Sequence, residues 1–178
     1  VARAVAQYAR AFDLNVVTYS PHTDAAVAAS LDVKVVDFDE LLATSDILSL
    51  HVTLNDSTRG LIGEEQISSM KEGVYLINTS RGAVIDEVAL MKALQSNKIR
   101  AAALDVLAQE PPPANHPFFE LDNVILSPHM ASDTYQAFAR VFARCAEQIA
   151  SVIEHHQPSN LVNPEVLSHD HFSGLIWR

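Results

Sequence analysis

A single cysteine, Cys145, stands among 178 residues, so no disulfide can close within the chain, and a reducing compartment such as the cytoplasm is expected. Its place in an apolar helical pattern predicts packing as a small hydrophobe. Cations are scarce too: 12 Lys and Arg stand against 22 Asp and Glu, a formal net charge of −10, with no basic cluster. Phosphate-tracking surfaces draw affinity from clustered cations, so nucleic acid is not an expected partner. No apolar run approaches the roughly 20 residues of a membrane span, which predicts a soluble chain. The opening VARAVAQYARAF lacks the order of a signal peptide and an initiating Met. It begins inside a helical pattern, with Val1, Val5, Tyr8 and Phe12 on one face, as a chain cut from a longer one would.

What is present is an alternation. LNVVTYS, VKVV, DILSLHV, GVYLINT, RAAALDV and NVILSPH read as short apolar strands. Between them PHTDAAVAASL, FDELLATS and DEVALMKALQSN read as helices. Apolar strands separated by amphipathic helices predict a parallel sheet buried on both faces, in an open doubly wound α/β domain. Residues 132–157 follow as one long helix, with Phe138, Val141, Phe142, Cys145, Ile149, Val152 and Ile153 at helical spacing and Ser132 or Asp133 as the cap. The tail, 158–178, carries Pro158 and Pro164 and shows no period.

Ligands of open parallel sheets bind beyond the carboxyl ends of the strands. The polar residues that follow the apolar runs are Ser20, His51, Thr79 to Arg81, Asp105 and His129. Arg81 offers a rigid fork of donors for a carboxylate. His129 can move a proton near neutral pH, and Glu110 could orient it. Together they suit a small 2-oxo or 2-hydroxy acid. Each also has an ordinary explanation: a surface ion pair for Arg81, a turn cap for Asp105, a solvated loop position for Glu110. His155 and His156 suit a helix C-terminus and His169 and His171 fall in the tail, so no metal site is expected.

The stretches SDILSLHVTLNDSTRGLIG, MKEGVYLINTSRGAVIDEVALMKALQSNKIRAAALDV, EPPPANHPFFELDNVILSPHMA and VNPEVL together resemble the D-isomer-specific 2-hydroxyacid dehydrogenases. The resemblance implies a Rossmann-like NAD-binding domain over 1–131 and a tail that returns to a substrate domain. It implies hydride transfer between nicotinamide and C2 of a small D-2-hydroxy or 2-oxo acid, with Arg81, Glu110 and His129 catalytic. It also places the cofactor: Val1 at the phosphate turn, Ser20 at the adenine ribose, Val52 and Thr53 beside the adenosine, and Thr58, Thr79 and Ser80 along the nicotinamide side. Asp105 falls at the carboxamide, and Arg81, His129 and Ala131 complete the set. A homodimer is implied.

Three departures from the family pattern qualify this. Ser20 is followed by Pro21, His22 and Thr23, with neither the acid of NAD users nor the arginine of NADP users, so NAD is implied with NADP left open. Thr53 replaces a common proline, which adjusts the adenine pocket. Val1 and Ala2 match only the last two positions of the glycine-rich phosphate turn, so the first strand of the order 3-2-1-4-5-6 is expected to be missing and the isolated chain inactive. A second class of function, a nucleotide-sensing interaction module related to the same family, would keep the same residues.

Overall fold

The computed structural model describes residues 1–168, and His169 and His171 lie outside them. Two compact units result, one of residues 1–131 and one that begins at Ser132. The first is the expected α/β alternation: α1 (Ala2–Ala11), β1 (Val17–Thr18), α2 (Ala25–Ser30), β2 (Lys34–Val35), α3 (Phe38–Thr44) and β3 (Ile47–Leu50). There follow α4 (Glu64–Ser69), β4 (Val74–Asn78), α5 (Glu87–Gln95), β5 (Ile99–Leu104) and β6 (Val124–Leu126). All strand pairs are parallel.

Capping sets the helix starts. Asp24, Asp37 and Asp86 each accept a hydrogen bond from backbone N–H groups of the first turns of α2, α3 and α5, which satisfies donors a helix leaves unpaired. Helix α4 has no counterpart in the sequence expectations, because only Ile67 of its six residues is buried and no apolar period announces it.

The strands form two sheets, β1-β2 and β3-β4-β5-β6. The break falls where the order 3-2-1-4-5-6 places its first strand. In the larger sheet the register aligns Leu48, Leu76 and Ala102 in one row and Leu50, Asn78 and Leu104 in the next. These side chains are buried with Leu42 of α3, Ile67 of α4 and Leu90 and Leu94 of α5. At roughly 1.5–3 kcal/mol for each fully buried aliphatic side chain, this layer carries most of the unit's stability.

Burial on both faces does not hold as expected. The opposite face presents Ile47, Tyr75 and Ile125, exposed by 51%, 44% and 72%. The expected strands LNVVTYS and VKVV shrink to two residues each, with Tyr19 and Val35 exposed, because only one edge of each finds a partner. Short, half-covered strands cannot extend a ladder without that second edge.

In the second unit α6 (Tyr135–Ile153) is capped by Thr134, whose side chain accepts from Ala137 N–H, and not by Ser132 or Asp133. Its apolar stripe is exposed, Phe142 by 67% and Ile149 by 61%, and the Phe138 and Phe142 rings stack at 6.1 Å. Cys145, expected to pack, is also exposed. A 3₁₀ turn, Pro164–Ser168, closes the described chain. No helix among the described residues is long and apolar enough to cross a membrane.

Candidate active site

Hydrogen bonds continue across the carboxyl ends of β4, β5 and β6: Asp105 N–H donates to Asn78 O (3.0 Å), and His129 N–H to Asp105 O (2.8 Å). The polar residues after these strands therefore share one edge of the sheet.

At the end of β4 the buried Asn78 folds the chain. Its Oδ1 accepts from the Ser80 N–H (2.9 Å) and hydroxyl (2.8 Å), and its Nδ2 donates to Arg81 O (3.0 Å). Arg81 emerges from this turn with Nη1 donating to Ser80 O at 2.6 Å, and among the described residues no carboxylate pairs with it. Gly82 follows, so close to the loop after β5 that a Cβ there would lie 1.9 Å from the Leu107 carbonyl carbon. Arg81 and that loop are thereby locked in register.

The loop carries Glu110. Its Oε1 accepts from Leu107 N–H (2.9 Å) and its Oε2 meets Nδ1 of His129 at 2.7 Å. The hydrogen bond from His129 holds the Glu110 carboxyl below its ordinary value; partial burial opposes this, the Leu107 amide reinforces it, and the Asp105 charge opposes it weakly. Glu110 is thus a carboxylate at neutral pH, which requires the proton on Nδ1 and leaves Nε2 of His129 as the nitrogen free for a ligand. His129 has φ 53°, a left-handed conformation uncommon outside glycine, held by the bonds of its neighbours.

Those neighbours are tied to Asp105. Its buried carboxylate accepts from the Ser127 hydroxyl (2.6 Å), Met130 N–H (2.9 Å) and Ala131 N–H (3.0 Å). Burial alone would raise its carboxyl, but the Ser127, Ala131 and Met130 donors outweigh it and hold it below the ordinary value. Asp105→Asn puts an NH2 group against at least one of these donors. At about 1–3 kcal/mol for an unsatisfied buried group, thermal unfolding should shift down by roughly 3–9 °C. An unchanged melting curve would mean the carboxylate is dispensable to the loop.

A cavity of about 680 Å³ opens beside this edge. Val52 and Thr53 after β3, Thr79, Ser80 and Arg81 after β4, and Val1, Ala2 and Arg3 at the start of α1 line it. Six of the expected cofactor residues, Val1, Val52, Thr53, Thr79, Ser80 and Arg81, are thus brought together. Ser20, Thr58, Asp105, His129 and Ala131 are not on the lining. Ser20 Oγ accepts from His22 N–H in the turn after β1 (3.3 Å). Thr58 acts one step back, its hydroxyl donating to Thr53 O at 2.6 Å. His51 also lines the cavity and bonds Ser49 Oγ (3.0 Å); burial lowers its pKa. Asn78, Gly82 and Ser127 were not singled out in the sequence, since an Asn, a Gly or a Ser after a strand is too common to announce itself.

An open parallel sheet with a ligand-sized cavity at its strand ends and a helix N-terminus on the cavity wall is the architecture of nucleotide-binding α/β domains. The chain belongs to the D-isomer specific 2-hydroxyacid dehydrogenases: the model of that family's NAD binding domain matches residues 1–131. It is 42% identical to the D-3-phosphoglycerate dehydrogenase of Archaeoglobus fulgidus over 89% of this chain and 30% of that one. With the glyoxylate reductase of Thermofilum pendens it shares 43% identity over 92% of this chain and 49% of the relative. The D-lactate dehydrogenase of Lactobacillus jensenii, solved with NAD+, superposes with a TM-score of 0.82 at 30% identity, over 90% of this chain and 52% of that one. The chain therefore spans half or less of the curated relatives' length.

The cavity suits such a cofactor. Its volume is within the roughly 300–1,000 Å³ of small-molecule sites, and Val1, Ala2 and Arg3 at the start of α1, where a helix leaves its first N–H groups without helical carbonyls, are on its lining.

Proposed function

We propose that the protein transfers a hydride between NAD(P) and a small D-2-hydroxy acid or its 2-oxo acid, NAD being the preferred cofactor. The observation that carries this is the 2.7 Å Glu110–His129 pair on the same sheet edge as an arginine that has no acidic partner among the described residues. When bound, the nicotinamide supplies or accepts the hydride at C2. His129, fixed through Nδ1 by Glu110, gives a proton from Nε2 to the substrate oxygen during reduction and takes it back during oxidation. Arg81 binds the substrate carboxylate with its fork and draws charge from the neighbouring carbonyl.

For the cofactor, Val1 and the start of α1 receive the pyrophosphate, Ser20 the adenine ribose, and Val52 and Thr53 the adenosine. Thr58, Thr79 and Ser80 serve the nicotinamide side, with Ala131 at its margin. Asp105 accepts from the carboxamide: a carboxylate has about four acceptor positions, and three internal donors leave one. We read the working form as a cytoplasmic homodimer with no nucleic-acid or membrane partner. The exposed stripe of α6 and the formal charge of −10 support that reading.

The test uses the full-length protein with NADH or NADPH and a panel of glyoxylate, hydroxypyruvate and pyruvate, following nicotinamide absorbance. Arg81→Ala should lower kcat/KM by about 10²- to 10³-fold, mainly through KM, because a charge-assisted fork is lost. No oxidation of either cofactor with any of the acids would sink the proposal, and an unaltered KM in Arg81→Ala would remove Arg81 from it.

A further inference from the structure

We propose that Glu87, with His116 behind it, is a positioning residue that clamps the 107–110 loop and so sets Glu110 against His129; this rests on the reading of that pair as the proton-handling groups. Glu87 opens α5, where an acid always gains something from the helix dipole. Capping, however, is already done by Asp86, whose carboxylate accepts from Val88 N–H (2.9 Å) and Ala89 N–H (3.1 Å). The Glu87 carboxylate instead crosses to the loop after β5, where Oε1 accepts from Ala108 N–H at 2.7 Å. Its Oε2 faces Nε2 of His116 at 3.6 Å.

The histidine is held as firmly as the glutamate. Nδ1 of the buried His116 accepts from Phe118 N–H (3.3 Å), which puts the ring proton on Nε2, toward Glu87. The Phe118 and Phe119 rings meet the imidazole edge-on at 5.0 and 5.9 Å. Adjacent amides of the loop are therefore gripped by two glutamates: Leu107 N–H by Glu110, Ala108 N–H by Glu87. The first grip leaves Glu110 free to swing with its own loop. The second ties the loop to the helix that packs on the sheet core, so Glu110 Oε2 is presented to His129 at a fixed distance, as supporting residues do around other reactive groups.

The titration of Glu110 reports this geometry without any turnover, because its carboxyl is held low by His129, reinforced by Leu107 N–H and opposed by partial burial and the Asp105 charge. Carbon-detected NMR of the Glu carboxylates in the full chain should show the Glu110 midpoint rising toward an ordinary carboxylate's in Glu87→Ala. Glu87→Gln, whose amide oxygen still accepts from Ala108, should restore it, and Glu87→Asp, one methylene short, should behave like the alanine variant. A Glu110 midpoint that stays put in Glu87→Ala and Glu87→Asp overturns the proposal, even if both melt earlier. Should Glu87→Ala fail to fold, Glu87→Asp is read alone. In the unaltered chain, an Ala108 amide that exchanges as fast as a free one would overturn the clamp as well. Absence of 2-oxo acid reduction would count against the oxidoreductase reading and leave this result standing.

Discussion

His129→Asn in the full-length protein should lower kcat for 2-oxo acid reduction by about 10²- to 10⁴-fold, the range a positioned proton donor contributes. Asparagine is the informative replacement because the backbone at this position is left-handed, φ 53°, a conformation asparagine tolerates better than most residues. The backbone bonds around the residue, His129 N–H to Asp105 O and Met130 N–H to the Asp105 carboxylate, have no reason to change. What is lost is the group that moves a proton. Substrate KM should shift little, since Arg81 carries the carboxylate; a stopped-flow separation of binding from hydride transfer would check both. Retained kcat would mean that the proton comes from elsewhere and that the Glu110–His129 pair is structural.

The same pair fixes the acid limb. Glu110 is held low in the folded protein, so its contribution is fully present above the ordinary carboxylate value of about 4 and is lost as pH falls through the lowered folded value. Asp105 behaves alike, and being buried it weighs more on stability, whereas Glu110 is partly solvated.

The strand ends were readable in the sequence because apolar runs of β3 to β6 stop abruptly at polar residues, and Asp86 marks the start of α5 within one residue of where the period begins. The pairing of Glu110 with His129 followed from order along a parallel sheet and from the family resemblance. What stayed hidden depends on distances no local pattern encodes. Glu87 and Ala108 lie 21 residues apart, and their contact exists only because α5 packs beside β5. The β1-β2 pair looked as apolar as the others, yet with a single paired edge it ends after two residues. For helix α6 the sequence pointed to Ser132 or Asp133 as the cap, whereas the cap is Thr134, whose side chain accepts from Ala137 N–H.

Gly82→Ala should be the most damaging single change outside the proton-handling pair. Glycine is required here for space. An added Cβ would sit 1.9 Å from the Leu107 carbonyl carbon, 2.1 Å from its oxygen and 2.3 Å from Ala108 N, all backbone atoms that no rotamer change can clear. The displaced segment is the one whose amides bind Glu110 and Glu87, so the change moves the Glu110–His129 pair and the Arg81 turn together. Overpacking usually costs about 1–3 kcal/mol; a backbone collision belongs at or above the upper end, or a fall of roughly 6–12 °C in Tm. Gly60 supplies the control: at φ +63° with no atom within 4 Å of a built Cβ, its alanine variant meets only left-handed strain, about 1–2 kcal/mol, and leaves the site intact. If Gly82→Ala and Gly60→Ala lose the same Tm and the same kcat, the close approach of the Arg81 turn to the Glu110 loop is not what aligns the site. If Gly82→Ala alone loses kcat by more than its stability loss explains, that contact sets the distance between the carboxylate-binding and proton-transferring groups.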